Sequence, residues 1–440
     1  MGICASTSTQ NTTIINQITT KAKQTSILSA MNSNLHKIPN QWTSSSLNQQ
    51  LIEIWLQNNR LTDISLALNH FGGTSTQLIY LNNNNLSQLP KHAISWTALQ
   101  ECNISSNPLF NGEIPKDVAF QWNDLRQLYL NDLPLLSKSP IPNTAVVWKQ
   151  LRVLHLNRSS KCTEKDPAAE GSIGMTLLSP IAVSGWKELK QFCCNNNSLQ
   201  VLPSEIKHWI KVEKIFINNN NLLSLPVEIG MLQCLTKLYL SGNQLSTLPD
   251  EIGDLTHLDE LYINQNQLKT LPNTIGKLSN LTKLYVDDNL LTILPNSIFH
   301  GCVALQILHV NRNYLKSIPG YQIERKNEWQ NNNKIMFVHI GGNHVSFDSQ
   351  NMISFLKCIQ QEGMLSQLRV LEIQPNNCFL NGTTNGNECQ QKLDQVKQGL
   401  IKSWSFVTST NEKASSTEEA SSTEEEKKIA DNETIRVSVN

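Results

Sequence analysis

One spacing constrains this chain more than any other property. Asn197, Asn220, Asn243, Asn266, Asn289 and Asn313 follow one another at intervals of 23, 23, 23, 23 and 24 residues. Each closes the same frame, of which Leu235-x-x-Leu238-x-Leu240-x-x-Asn243-x-Leu245 is a clean copy. Leu258, Leu261, Ile263, Asn266 and Leu268 form the next, and Leu281, Leu284, Val286, Asn289 and Leu291 the one after. Chance does not hold such a period over six copies. A fixed period of this length marks a stack of small units, none of which can bury its apolar face alone.

Weaker copies extend both ways. Upstream, Leu51, Ile54, Leu56, Asn59 and Leu61 match fully, while Leu133 and Ser159 stand at the Asn position of two others. Downstream, Ile335, Val338, Ile340, Asn343 and Val345 match, and Leu368, Leu371, Ile373 and Asn376 form the last. About 13 units are expected over residues 35–380, opened by a half unit, Leu35-x-x-Ile38-Pro39. The frame lengthens near 157–188 and 320–334. Such insertions are tolerant surface loops, partner-contacting loops, or a break between two stacked sub-arrays.

The alternation Leu-x-Leu predicts a short strand with its leucines inward. Equivalent strands then pair in parallel about 4.8 Å apart. Where the chain leaves the strand, the Asn side chain can satisfy backbone groups left over by the turn. Three middle copies share a second half, such as Leu248-Pro249-x-x-Ile252-Gly253-x-Leu255. Pro opens a helical turn and Gly closes one, so one short α or 3-10 turn per unit is expected.

This frame is the signature of a leucine-rich repeat. The middle copies resemble the Ras-group family of intracellular leucine-rich repeat proteins over roughly residues 189–320. The resemblance implies an α/β repeat solenoid, a horseshoe with a parallel sheet on the concave face and short helical turns on the convex face. As partner it implies a signalling protein such as a small GTPase or a phosphatase complex.

The second, third, fifth, seventh and eighth positions of each unit should face the concave surface. Phe216, Tyr239, Tyr262 and Tyr285 make an unbroken aromatic row at the fifth position, followed by His309. Aromatic rings are enriched at binding surfaces because they bury area with few rotors to freeze; they also simply pack on one another. Lys214, Lys237, Glu260 and Lys283 occupy the third position, and Asp288 an eighth. This mixed-sign surface suits a protein partner.

The chain starts Met1-Gly2-Ile3-Cys4-Ala5-Ser6, the pattern for myristoylation of Gly2, with Cys4 placed for palmitoylation. Two acyl chains give a stable anchor where one does not. Residues 1–34 are expected to be a flexible polar segment carrying this anchor. Residues 387–405 have the spacing of a C-terminal capping helix. Residues 406–440 form an acidic Ser/Thr/Glu-rich tail too poor in apolar groups to fold. Within it Ser415, Ser416, Ser421 and Ser422 each have an acid three residues on, which suits an acid-directed kinase.

Charge is balanced, 36 Lys+Arg against 36 Asp+Glu, so no global field favours nucleic acid. No catalytic motif, metal-ligand cluster, cofactor motif or small-molecule substrate site is read, so the chain is expected not to be an enzyme. The expected role is a protein-protein interaction scaffold in signal transduction, in the cytoplasm on the inner face of a membrane. Two other readings stay open: a regulatory subunit of an enzyme such as a protein phosphatase, and an extracellular recognition protein, for which NxS/T sequons such as Asn381-Gly382-Thr383 give room.

Overall fold

The computed structural model describes residues 4–43, 51–64, 74–89, 91–107, 114–133, 141–158, 176–316, 337–343 and 370–372. It divides into two compact units, Met1–Lys237 and Leu238–Asn440. The first opens with helix α1 (Cys4–Thr25) and continues through strands β1 (Ile27–Ser29), β2 (Glu53–Trp55), β3 (Leu78–Tyr80), β4 (Glu101–Asn103), β5 (Gln127–Tyr129), β6 (Val153–His155), β7 (Gln191–Cys193) and β8 (Lys214–Phe216). Each pairs in parallel with its successor, so Trp55 lies beside Tyr80 and His155 beside Cys193. Strand β9 (Lys237–Tyr239) stands at the boundary. In the second unit β10 (Glu260–Tyr262), β11 (Lys283–Tyr285), β12 (Ile307–His309), β13 (Phe337–His339) and β14 (Val370–Glu372) pair in parallel in the same order.

Each strand is three residues long because the frame allows no more. Its middle residue is buried and its flanks are half-buried in most units. The core is the set of frame leucines and isoleucines, from Leu28 to Ile340, nearly all fully buried. The chain then leaves the strand through a left-handed residue at the eighth position. Asn58, Asn83, Asn196, Asn219, Gln265, Asp288 and Arg312 all have φ between 50° and 59°, and Gly242 has φ 68°. Asn and Asp tolerate that region best.

The ninth-position Asn closes the turn as expected. Asn266 is 7% exposed. Its Nδ2 donates to the carbonyls of Leu240 (3.0 Å), Ile263 (3.0 Å) and Asn264 (3.2 Å), and its Oδ1 accepts the N–H of Leu245 at 3.0 Å. Asn289 and Asn313 repeat the set. A second ladder runs through the seventh position. There the side-chain oxygens of Asn131, Asn157 and Asn195 accept the backbone N–H of Asn157, Asn195 and Asn218 at 2.7–2.9 Å. About 11% of the chain is Asn, and much of it is structural.

The opposite side of each unit is a short turn. In the middle repeats it is a 3-10 turn, as at Asp250–Asp254, preceded by Pro249 at φ −66°. The glycine inside it does not close the turn by conformational freedom. A Cβ on Gly253 would lie 2.3 Å from the carbonyl oxygen of Thr274 in the next turn, so glycine is there because stacked turns nearly touch.

In the first unit the same stack is built from tryptophan. Trp96, Trp122, Trp148, Trp186 and Trp209 are fully buried, with successive ring centroids 6.2–6.5 Å apart. The indole N–H of Trp122, Trp148 and Trp186 donates to the carbonyls of Ala93, Ala119 and Ala145. One repeat on, Val183 replaces the alanine, and Trp209 Nε1 is buried with no acceptor among the described residues. The row was legible as Trp-x-x-Leu before four of the strands and Trp209-x-x-Val212 before β8, the slot held by Leu232, Leu255 and Leu278 later on.

The beginning of the chain departs from the expected flexible segment. Residues 4–25 form α1, and β1 follows directly. Ala22 is buried and Trp42 Nε1 donates to Thr19 Oγ1 at 2.8 Å, so the helix is tied to the first turn. The expected half unit at Leu35 is the second half of a repeat whose strand is β1, with Leu28 and Ala30 inward. That strand lacks two of the frame leucines, which hid it. Gly2, the inserted stretches 159–175 and 320–334, the capping helix 387–405 and Ser415, Ser416, Ser421 and Ser422 lie outside the described residues.

Candidate interaction surface

Alternation sends the third and fifth residues of every repeat, the two ends of its strand, to the face opposite the core. In the second unit this face carries a continuous ring stack. Centroids lie 4.3 Å apart for Tyr239–Tyr262, 4.4 Å for Tyr262–Tyr285, 4.4 Å for Tyr285–His309 and 4.0 Å for His309–His339. Strand spacing imposes this distance, and in-register pairing keeps like beside like. All five rings are half-buried.

The polar groups around the row are more committed than the sequence implied. Glu260, expected on the binding surface, is 7% exposed and accepts a hydrogen bond from the Tyr239 hydroxyl. It positions the ring and offers little to a partner. Burial, reinforced by the Glu260 carboxylate, pushes the Tyr239 phenol above its usual range, so it stays a neutral donor. Asp288 is held in a two-pronged ion pair by Arg312, with Nη2–Oδ2 at 2.6 Å. Asp287 beside it is 8% exposed and takes the N–H of Asn311 at 2.8 Å. Burial pushes its carboxyl up. His309 Nδ1 lies 3.8 Å from Asp287 Oδ2, but burial and His339 push the imidazole down to about 3, so this is a contact of a neutral ring. Lys283 remains a half-buried cation on β11.

Phe216, Lys214 and Lys237 belong to the first unit and are half-buried on β8 and β9. That unit has aromatic pairs of its own. Trp55 stacks on Tyr80 at 4.4 Å and Tyr129 meets His155 edge-on at 4.9 Å. All four hold the fifth position of their repeats, where Asn103 interrupts the row between Tyr80 and Tyr129.

His155 and Cys193, side by side on β6 and β7, have the composition of a nucleophilic pair. Their surroundings argue otherwise. Gln191 lies between them, 2.9 Å from His155 Nε2 and 3.3 Å from Cys193 Sγ. Burial pushes the thiol up to about 11, so no thiolate is present at neutral pH, and pushes the imidazole down, so no imidazolium is there to stabilise one. Among the described residues no group of three or more His, Cys, Asp or Glu could hold a metal ion. No described helix is long and apolar enough to cross a membrane.

The leucine rich repeat family model matches residues 210–268. A leucine-rich repeat protein of Leptospira interrogans superposes with a TM-score of 0.55 at 24% identity, over 80% of this chain and 92% of that one. This chain carries the leucine-rich repeat fold. A chain of the Drosophila Toll–Spatzle complex matches with a TM-score of 0.59 at 20% identity, over 77% of this chain. A plant peptide hormone receptor, RGFR1 in complex with RGF2, matches with a TM-score of 0.54 at 22% identity, also over 77%. The chain spans 42% and 57% of those two chains. No curated protein shows significant similarity. At these identities the likeness is one of fold. Leucine-rich repeats generally serve as protein-binding scaffolds, typically without catalysis.

Proposed function

We propose that the chain is a non-catalytic scaffold for a protein partner, which docks on the outward sheet face of the second unit. The observation that carries this reading is the unbroken stack from Tyr239 to His339, half-exposed along its length. Its rings are held by register and neighbours, so little rotamer freedom is lost on binding. The face carries both signs, with Lys283, the Asp288–Arg312 pair and the largely buried carboxylates of Glu260 and Asp287, which suits a mixed polar and aromatic protein surface. Proximity labelling with wild type beside a Tyr239/Tyr262/Tyr285→Ala variant tests it. Specific partners should disappear from the variant, and an unchanged set would remove the row from consideration.

The setting we propose is intracellular signalling at the inner face of a membrane, with Gly2 and Cys4 acylated. The resemblance of the middle repeats to Ras-group units points to a small GTPase or a phosphatase complex. A single enzyme copurifying one-to-one would make the chain its regulatory subunit. The five described cysteines form no disulfide and four of them are buried, which favours a reducing compartment over the extracellular reading. The sequon at Asn196 also sits in a ladder, its Nδ2 donating to the Arg158 carbonyl at 2.8 Å. Gly2→Ala should release the protein from membranes in fractionation.

A further inference from the structure

The first strand is the edge of its sheet, and its hydrogen bonds run one way. Ser26 O accepts the N–H groups of Ile52 and Glu53, Ala30 N–H donates to Trp55 O at 2.9 Å, and Asn32 N–H donates to Gln57 O at 3.2 Å. Alternate residues thus pair with β2, and Ile27, Ser29 and Met31 turn their backbone groups to the opposite edge. Ile27 N–H is taken by Thr25 Oγ1 and Met31 O by Ser33 Oγ. The Ile27 carbonyl, both Ser29 groups and the Met31 N–H have no partner among the described residues.

That edge opens into a trough of about 500 Å³ between α1 and the sheet. Ile18, Ile27, Met31 and Trp55 supply its apolar lining, and Lys21 stands on the α1 side. The size falls within the roughly 300–1,000 Å³ of ligand clefts. Trp55 is pre-oriented, its Nε1 donating to Glu53 Oε2 at 2.8 Å and its ring stacked on Tyr80. That bond occupies Glu53, which is the first acidic residue in the chain. No carboxylate among the described residues pairs with Lys21.

We propose that this edge is a second docking site, which takes an extended peptide segment of a partner protein as an added strand beside β1. Strand addition draws affinity from the main chain and specificity from alternate side chains. The incoming strand donates to and accepts from Ser29. One side chain of it lies on Trp55 and Met31, and an acidic side chain, on the same face two residues away, meets Lys21. The site is independent of the tyrosine row.

The test is to pan a phage-displayed random octapeptide library against the full chain. Selected peptides should carry an apolar residue and an acid two positions apart. Ser29→Pro removes the edge N–H at a position where an edge strand tolerates proline. It should weaken those peptides at least roughly tenfold. Lys21→Glu should abolish the preference for the acid, and Gln267→Ala, an exposed position outside both surfaces, should leave binding unchanged. Amide exchange at Ser29 and Met31 in the wild-type chain should slow when a selected peptide is added, a readout that does not depend on how the proline variant folds. Failure to select any peptide, equal binding by Ser29→Pro, or unchanged exchange would overturn the proposal. Ser29-dependent self-association in sedimentation would overturn it in favour of edge pairing between copies.

Discussion

Replacing Asn266 by alanine isolates what the asparagine ladder does. The side chain makes four hydrogen bonds in a site that leaves it only 7% exposed. Its loss leaves the Leu245 N–H with no acceptor and takes a donor from the Leu240 carbonyl. A buried polar group without a partner costs about 1–3 kcal/mol. The three carbonyls are each served weakly, so they add less than a full penalty apiece. The expected cost is therefore about 2–4 kcal/mol. Asn266→Asp separates polarity from geometry. It keeps the acceptor for Leu245 but turns carboxylate lone pairs toward three carbonyls, so it should destabilise more than alanine at pH 7 and recover as the solution is acidified. Gln267→Ala, on the exposed neighbour, is the control and should fall within about 0.5 kcal/mol of wild type. Urea unfolding followed by circular dichroism measures all three. An aspartate variant as stable as wild type, or an alanine variant no worse than the control, would refute the ladder as a source of stability.

Three further outcomes are expected. Trp148→Ala should cost about 3–5 kcal/mol through the cavity it leaves, while Trp148→Leu, the residue that later repeats use in that slot, should cost clearly less; thermal melts will rank them. Gly253→Ala should destabilise by about 1–3 kcal/mol although alanine favours helical turns, because the added carbon meets the Thr274 carbonyl; a more stable variant would contradict the close approach. His309 must be neutral in the fold and takes a proton in the unfolded chain near pH 6.5. Its contribution is therefore complete above about pH 6.5 and lost as pH falls toward its folded value of about 3, amounting to about 2 kcal/mol at pH 5. Burial raises Asp287, which acts with the opposite sign, so the comparison is with His309→Gln, whose stability should fall less between pH 7 and pH 5.

The repeat frame made most of the architecture legible before any coordinates. A leucine at the fourth position can only be inside if strands stack, and an asparagine at the ninth can only recur if every turn is the same. The frame failed where its residues were replaced. The repeat built on β1 has Thr25 and Ala30 where leucines belong, and the polar composition of residues 4–25 concealed a helix that one buried alanine and one Trp42 hydrogen bond hold in place. The aromatic row was legible too, since fifth positions share a face by alternation alone.

The partnering of polar side chains was not legible. Glu260 and Lys283 hold the same frame position, yet one is buried beneath a tyrosine hydroxyl and the other half-exposed. Seventh-position asparagines look like a solvated surface in sequence and are a hydrogen-bond ladder in space. Periodicity determines which face a residue takes, because the backbone repeats. Which neighbour it meets there depends on residues about 23 positions away, and only the stacked chain brings those within bonding distance.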